Sequence, residues 1–213
     1  MLKTYQINEF LNEAECDLIS EKIHSCGNLY EDYINNILNS YYYTWDFYNK
    51  NFFEIKEIFE NKIKNFFGLN LLIDHSHILH SIIPYGIHTD YFQRKKLVKN
   101  IEPAYTFIIP LANIETHTIV FNEYSKIKNP YEWKKTNNVK PYEDCQIPSE
   151  IRNKLLSHIN DDIINYFSIK EIFAWKKGSL LASDRQYFHC SDNYIANNLT
   201  YKNAIILWTS IKK

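Results

Sequence analysis

The sequence has few glycines and no closely spaced cysteines, and each shortage excludes a class of site. Only four of its 213 residues are glycine, and no two lie close enough for a GxGxxG or GxxxxGK phosphate-binding loop, which needs clustered glycines. The four cysteines are scattered without a CxxC pair, which argues against a zinc ribbon or a disulfide framework and favours reduced, mostly buried thiols. Neither a glycine-rich nucleotide-binding loop nor a zinc ribbon is therefore expected.

The sequence also lacks a charge excess and a long apolar run. It carries 24 Lys and Arg against 25 Asp and Glu, a formal net charge of −1, which argues against a general nucleic-acid coat or a membrane-surface protein. No stretch approaches the ~18 apolar residues that a membrane span requires, and the N-terminus has no uninterrupted apolar segment typical of a secretory signal. We expect a soluble, cytoplasmic protein.

Aromatic residues, in contrast, are abundant, at 16% of the chain. This content excludes disorder and collagen as descriptions of the whole chain. A chain of this length can bury a large fraction of its surface around one core. We therefore expect a single domain with a substantial core.

Two helices are predicted in the N-terminal third. Asn12 and Glu15 have the spacing of a capping box, and apolar residues then recur at helical spacing up to Gly27. A second amphipathic stretch begins near Phe52 and ends at Gly68. Both helices end at a glycine, as helices often do.

After residue 70 the hydrophobic period changes to that of strands. Several short segments are β-branched, aromatic and bounded by Asn, Asp, Pro or Gly: 71–83, 105–111, 118–121, 179–182 and 203–209. Many are apolar on both faces, which fits a barrel or jelly roll flanked by helices. The polar residues 122–170 are predicted to leave the barrel as a loop followed by one amphipathic helix around 151–164.

One short motif points to metal chemistry. His88 and Asp90 lie on the same side of an extended chain, since side chains alternate with period two, and His189 can supply a third ligand. Two histidines and one carboxylate form the facial triad of non-haem Fe(II) oxygenases. The dipeptide spacing alone also fits a structural histidine hydrogen-bonded to an aspartate.

Four segments, in chain order, give the motif a context: Phe10-Leu11 with Glu15-Cys16-Asp17-Leu18-Ile19, Tyr85-Gly86-Ile87-His88-Thr89-Asp90-Tyr91-Phe92, Lys177-Gly178-Ser179-Leu180-Leu181, and His189 followed by Lys202, Ala204 and Trp208. With them the sequence resembles the 2-oxoglutarate/Fe(II)-dependent oxygenases, most of all the prolyl 4-hydroxylase-type branch. The resemblance touches 10–19, 85–121 and 175–208.

This resemblance implies a mainly β fold with flanking helices, a double-stranded β-helix of the jelly-roll, cupin-like kind. One oxygenase domain would span 1–213, with N-terminal helical support in 1–70, the core in 71–121 and 171–213, and an excursion, a candidate lid and helix, in 122–170. The implied metal ligands are His88, Asp90 and His189. Lys202 would pair with the far carboxylate of 2-oxoglutarate, assisted by Tyr85.

The implied cofactors are Fe(II), 2-oxoglutarate and O₂, with ascorbate a further candidate. The implied reaction hydroxylates an unactivated C–H bond, in a peptidyl proline or a small molecule, with release of succinate and CO₂. We expect no nucleic-acid or membrane partner, and the oligomeric state is not predicted. Because Asp90 supplies a carboxylate, a halide-binding variant of the site is disfavoured.

The sequence departs from the branch at some points. It has no Gly-Gly-x-Thr-x-Phe turn near residues 115–121, and Lys202 lies slightly farther from His189 than usual. Asn193, Thr200 or Arg185 could therefore share the anchoring of the cofactor. Two other readings stay open: a cupin-like metal enzyme without 2-oxoglutarate, in which Lys202 is dispensable, and a non-catalytic ligand-binding barrel.

Other features have a structural reading beside a functional one. The histidines at 75, 77 and 80 are expected to be strand or core residues, one of which could line the pocket. The mixed aromatic and basic stretch 126–140 is either a polar surface loop or a cover over a substrate, and 94–99 is predicted to be a solvated loop. A dry aromatic wall around the metal is predicted from Tyr85, Tyr91, Phe107, Phe121 and Trp208.

Overall fold

The computed structural model describes residues 2–47, 49–68, 71–91, 101–144 and 146–212. The predicted loop at 94–99 and the thiol of Cys145 lie outside these residues. Within them the strands are β1 Tyr5–Ile7, β2 Asn28–Ile34, β3 Ile37–Thr44, β4 Leu71–Ser81, β5 Ile101–Pro110, β6 His117–Tyr124, β7 Ile169–Ala174, β8 Leu180–Asp184, β9 Tyr187–Ser191 and β10 Lys202–Lys212.

These strands form two antiparallel sheets. The large sheet has the order β1-β8-β5-β10-β4-β3-β2, and the small sheet has the order β7-β6-β9. An isolated antiparallel bridge between His88 and His189 adds the segment after β4 to the small sheet. From β4 to β10 the chain therefore passes back and forth between the two sheets, which is the winding of a jelly roll. The predicted fold class is confirmed.

Both predicted N-terminal helices are present. Helix α1 spans Glu13–Cys26, and its capping box is complete: Asn12 Oδ1 accepts from the Glu15 amide at 2.9 Å, and Glu15 Oε2 accepts from the Asn12 amide at 2.8 Å. Helix α2 spans Phe53–Phe67 and ends at Gly68, whose φ of 61° is left-handed. Their buried residues pack with β5, β8 and β10, so both helices cover the outer face of the large sheet.

The first seventy residues contain strands as well as helices. Strands β2 and β3 form a hairpin whose turn residues, Asn35 and Asn36, have φ of 52° and 64°. Such a turn needs positive φ at both central positions, which asparagine tolerates. The hairpin was not predicted, because β2 is exposed along nearly its whole length and shows no alternation of apolar and polar residues.

In its described residues the excursion, 122–170, contains three short helices: α3 Pro130–Thr136, α4 Ser149–Leu155 and α5 Asp161–Ile164. The prediction of one helix around 151–164 was wrong, because Asn160 caps a new helix by accepting from the Asp162 amide at 2.8 Å. In the stretch 126–140, the Trp133 side chain is buried against Phe167 and Phe188 at ring distances of 5.5 and 5.1 Å. This part of the stretch therefore packs on the outside of the small sheet.

Gly178 joins the N-terminal segment to the barrel. Its φ is +74°, its carbonyl accepts from the Leu11 amide at 2.8 Å, and a Cβ built there would lie 2.1 Å from the Leu11 carbonyl oxygen. We expect Gly178→Ala to lower the free energy of unfolding by about 3 kcal/mol, because it adds a clash to a strained φ. Chemical denaturation measures this loss.

Gly86→Ala is the matched control for this substitution. A Cβ at Gly86 would meet nothing within 4 Å, and its φ is not positive. The free energy of unfolding of the Gly86→Ala variant should therefore stay within about 0.5 kcal/mol of that of the parent protein. Equal losses in the two variants would contradict the assigned role of Gly178.

Among the described residues no helix is both long enough and apolar enough to cross a membrane. Of the cysteines that the structure describes, Cys16 and Cys190 are buried and free, whereas Cys26 is free but exposed.

Candidate metal centre and cavity

The fold brings His88, Asp90 and His189 together between the two sheets. The backbones of the two histidines pair directly: the His88 amide donates to the His189 carbonyl at 3.0 Å, and the His189 amide donates to the His88 carbonyl at 2.9 Å. One ligand atom from each of the three side chains lies within 4.8 Å of the others. In the described part of the chain, no other group of three or more His, Cys, Asp or Glu has such geometry.

Backbone carbonyls fix the orientation of both imidazoles. His88 Nδ1 lies 2.8 Å from the Gly86 carbonyl oxygen, and His189 Nδ1 lies 3.3 Å from that of Tyr187. Since a carbonyl only accepts, we assign the proton to Nδ1 in the neutral form of each ring, and in that form Nε2 keeps its lone pair. The Nε2 atoms lie 3.9 and 3.3 Å from the Asp90 oxygens. Metal-binding histidines usually donate their other ring N–H in this way.

The charges at the centre also suit a cation. Burial raises the pKa of Asp90, but His189, His88 and the hydrogen bond from Thr106 outweigh burial, so the pKa lies well below its ordinary value. Burial, together with the neighbouring His189, lowers the pKa of His88 to about 4. For His189, burial also lowers the pKa, but the Asp90 carboxylate outweighs it and the net direction is upward. A carboxylate and a neutral imidazole thus meet at one point.

Two groups hold Asp90 in place. Thr106 Oγ1 donates to Asp90 Oδ2 at 2.7 Å, and Arg185 Nε donates to the Asp90 backbone carbonyl at 3.1 Å. Arg185 Nη1 also donates to Asp74 Oδ2 at 3.0 Å, and Ser210 donates to the same carboxylate. Arg185 is thus a buried support of the candidate metal ligand Asp90, through contacts that the sequence did not reveal.

We expect Arg185→Lys to weaken metal binding at the triad by 10-fold or more, since outer supports of a metal ligand typically contribute about 10–100-fold. Lysine keeps the charge but cannot form the forked contact to Asp74 and Asp90. Calorimetry with Zn²⁺ measures the affinity. Arg152→Lys is the control, because Arg152 pairs with Asp161 at the surface, where side-chain exposure is 24% and 78%. Equal affinities in both variants would contradict the role of Arg185.

A cavity of about 460 Å³ lies between the sheets, within the usual range for small-molecule sites. Besides the triad and Tyr85, residues from both sheets, including the β2–β3 hairpin of the large sheet, and from the segments after β6 and β7 line it: Asp32, Tyr42, His75, His77, Leu79, Thr106, Ile108, Thr118, Lys128, Trp175, Cys190, Ser191, Lys202, Ala204, Ile206 and Trp208. The cavity could hold a small organic molecule beside a metal ion.

Lys202, the first residue of β10, reaches into this cavity. Its Nζ donates to the His117 carbonyl at 2.9 Å, lies 4.2 Å from the Trp175 ring centroid, and is 3.8 Å from Asp192 Oδ1. Burial lowers its pKa to about 8, although Asp192 acts in the opposite direction. The three proposed alternatives, Asn193, Thr200 and Arg185, do not line the cavity. Among these four candidates, only Lys202 can present a cation there.

Tyr85 lines the same cavity near the triad. Its hydroxyl lies 2.6 Å from Ser40 Oγ and 3.4 Å from Asp32 Oδ2. Burial raises the pKa of Tyr85 to about 12, so it is a neutral hydroxyl at physiological pH. Ser40 and Asp32 come from the unpredicted hairpin, which is why neither partner was identified from the sequence.

The three strand histidines have different environments. His75 and His77 line the cavity beside Trp208, with ring centroids 5.1 and 5.9 Å from the indole. His80 lies elsewhere, stacked on Tyr41 at 4.7 Å, with its Nε2 3.1 Å from that of His24. One of the three was expected to be able to line the pocket, and two of them, His75 and His77, line the cavity.

The predicted aromatic wall is only partly present. Tyr85 and Trp208 line the cavity, but Tyr91, Phe107 and Phe121 do not. Phe107 belongs to the core under the N-terminal helices, and Phe121 belongs to the core beneath the excursion. The prediction was wrong for these two phenylalanines, because side chains alternate along a strand and theirs face outward from the barrel.

No protein-family model and no curated protein matches the sequence. Solved structures do resemble the fold. The non-heme alpha-ketoglutarate-dependent epimerase SnoN from nogalamycin biosynthesis aligns with a TM-score of 0.60 and 11% identity, over 98% of this chain and 78% of SnoN. The carbocyclase SnoK from the same biosynthesis aligns with a TM-score of 0.55 and 10% identity, over 98% of this chain and 79% of SnoK.

A third similar structure is HygX from Streptomyces hygroscopicus with nickel and 2-oxoglutarate bound. It aligns with a TM-score of 0.55 and 9% identity, over 98% of this chain and 82% of HygX. At such low identity the likeness concerns the fold alone. The chain therefore has the jelly-roll fold of the 2-oxoglutarate/Fe(II)-dependent oxygenases.

Proposed function

We propose that the protein is a non-haem Fe(II)- and 2-oxoglutarate-dependent oxygenase that hydroxylates an unactivated C–H bond. The observation that carries this proposal is the presence, in one cavity, of a His-Asp-His centre and a buried lysine. Neither a structural histidine pair nor a simple ligand-binding barrel requires both. HygX, which has the same fold, is known with nickel and 2-oxoglutarate bound.

The residues present fit both groups. His88, Asp90 and His189 would hold the iron, because their ligand atoms converge and both imidazoles keep Nε2 free. Three ligands leave positions open for a chelating co-substrate and O₂. Bound iron would supply the redox chemistry that couples decarboxylation of 2-oxoglutarate, to succinate and CO₂, with oxidation of the C–H bond.

The chain's own groups would position the co-substrate. The Lys202 ammonium would pair with the distal carboxylate of 2-oxoglutarate, since a carboxylate in a nearly dry pocket needs a fixed cation. Apolar neighbours on β10, Ala204 and Ile206, would exclude water beside its carbon chain. The neutral Tyr85 hydroxyl, held by Ser40, would turn its one O–H from Asp32 Oδ2, to which it donates at 3.4 Å, toward a ligand near the metal.

The substrate would occupy the rest of the cavity, along Tyr42, His75, His77 and Trp208. We propose a small molecule or a peptide side chain there. Hydroxylation is the outcome we favour, although the similar structures include an epimerase and a carbocyclase. The assignment to the prolyl 4-hydroxylase-type branch stays a prediction.

Succinate formation tests the function directly. Purified protein with Fe(II), 2-oxoglutarate and O₂ should form succinate, even slowly without substrate, and His88→Ala should not. Under anaerobic conditions, the same components should give a metal-to-ligand charge-transfer absorption. If the unaltered protein binds iron but gives neither signal, the proposed function is wrong and the cupin-like alternative is favoured.

A further inference from the structure

A second charged group, Asp192, lies directly behind Lys202. Asp192 is fully buried and does not line the cavity. Its Oδ1 accepts from Thr116 Oγ1 at 2.5 Å, and its Oδ2 accepts from the backbone amide and Nδ1 of His117 at 2.8 and 3.0 Å. A buried carboxylate is costly to maintain. Its position beside the buried lysine therefore calls for an explanation.

Lys202 needs a negative neighbour to stay charged. Its ammonium lies over the rings of Trp175 and Tyr194, at 4.2 and 5.4 Å from their centroids. Burial among such groups favours the neutral amine. An opposite charge within a few ångströms favours the ammonium instead, and Asp192 Oδ1 lies 3.8 Å from Nζ.

No other anion among the described residues packed around Lys202 supplies this charge. Cys190 on β9 and Tyr194 beyond it both have a pKa raised by burial, so both are neutral. His158, after α4, has a pKa lowered by burial and is also neutral. His117 on β6 offers its backbone carbonyl to Lys202 and its ring to Asp192.

Asp192 does not form a direct hydrogen bond with the Lys202 ammonium. At 3.8 Å, Asp192 Oδ1 is beyond ordinary hydrogen-bond distance from Nζ. Thr116 and His117 already occupy both carboxylate oxygens. An ammonium has three donors, and among the described residues Nζ makes one hydrogen bond, to the His117 carbonyl. The other donors can serve a ligand in the cavity.

We propose that Asp192 is a positioning residue for co-substrate binding: its carboxylate keeps Lys202 cationic, while Thr116 and His117 hold that carboxylate away from the ammonium, so that N–H donors remain for the distal carboxylate of 2-oxoglutarate. This inference rests on the proposed function. It makes the arrangement Thr116/His117–Asp192–Lys202 part of the binding site, although only Lys202 touches the ligand.

The test is the pH dependence of 2-oxoglutarate binding to the Ni²⁺-loaded protein, measured by calorimetry from about pH 6 upward so that a downward shift of about 1 unit is visible. In the parent, affinity should fall at alkaline pH as Lys202 loses its proton. In Asp192→Asn that fall should begin about 1 pH unit lower or more, since a nearby opposite charge shifts a pKa by about 1–3 units. A purely structural role would change affinity equally at every pH.

Two further variants complete the test. Thr116→Val removes a hydrogen bond that holds Asp192 Oδ1 away from Lys202 but keeps the charge. The alkaline fall should therefore not move to lower pH, whereas the affinity at neutral pH should decrease because the carboxylate can then pair with the ammonium. Lys202→Arg should remove the fall altogether, because arginine stays protonated, and it gives a result even if Asp192→Asn does not fold. The inference is overturned if Asp192→Asn keeps the parent's pH dependence, or if the fall persists in Lys202→Arg.

The two proposals fail in different ways. If the unaltered Ni²⁺-loaded protein does not bind 2-oxoglutarate at any pH, the proposed function and this inference are both wrong. If the unaltered protein binds it and only the pH behaviour of the variants disagrees, the proposed function stands and the role of Asp192 is rejected.

Discussion

Replacing Asp90 by alanine should lower the affinity of the protein for divalent metal by more than about 100-fold, since removal of a ligand should exceed the loss of about 10–100-fold seen for outer supports. The carboxylate is the one anionic member of the centre. Without it, His88 and His189 would face each other as two neutral imidazoles. Calorimetry with Zn²⁺ measures the loss, and succinate formation should fall to background in the same variant.

Asp161→Ala is the matched control for Asp90→Ala. Asp161 lies at the surface, 78% exposed, and pairs with Arg152, so its loss should leave metal affinity unchanged, as for most surface ion pairs. The asparagine variant of Asp90 distinguishes charge from shape, because it keeps the hydrogen bond from Thr106 but not the charge. If Asp90→Ala binds Zn²⁺ as tightly as the Asp161 variant, the triad is not a metal centre.

Replacing Lys202 by methionine should weaken 2-oxoglutarate binding by about 30-fold or more, because truncating one partner of a buried charge pair costs about 2–5 kcal/mol. Metal affinity should be unchanged, since Lys202 is not a ligand. Calorimetric titration of 2-oxoglutarate into the Ni²⁺-loaded protein gives the ratio.

Lys176→Met controls for the loss of a lysine, because the Lys176 side chain is 59% exposed and its ion pair with Glu9 is at the surface. Lys202→Met also leaves Asp192 without its cation, so thermal denaturation should accompany the titration and show that the variant is folded. Unchanged 2-oxoglutarate affinity in a folded Lys202→Met protein would favour the cupin-like reading, in which this lysine is dispensable.

The parts of the fold that were predicted are those with strong local signals. Helix α1 has a capping box and ends at a glycine, and β10 contains the continuous apolar run 204–208. Strand β2 has no such signal because it is an exposed sheet edge. Strand β9 was not predicted, because its sequence is short and mixes polar with apolar residues, although all five of its residues are buried. Tertiary packing alone determines such strands.

Some residues of the candidate site could likewise be predicted from the sequence, and others could not. His88 and Asp90 were identified because they are close in sequence and share a strand face, and His189 was a candidate third ligand. The role of Lys202 was implied only by the resemblance to the oxygenases. Arg185 could not be assigned its contacts, because its partner Asp74 lies on a distant strand. Likewise, nothing in the sequence links Asp192 to Thr116 and His117, which meet it through the pairing of β6 and β9.

The backbone bridge between His88 and His189 has a consequence for the order of assembly. The two residues lie far apart in the chain and become neighbours when the segment after β4 pairs with β9. Contacts of such long sequence separation carry a high entropic cost of loop closure, so we expect this bridge to form late in folding. An ion at this centre would therefore bind after the two sheets have paired. It would lower the rate of unfolding and leave the rate of folding nearly unchanged.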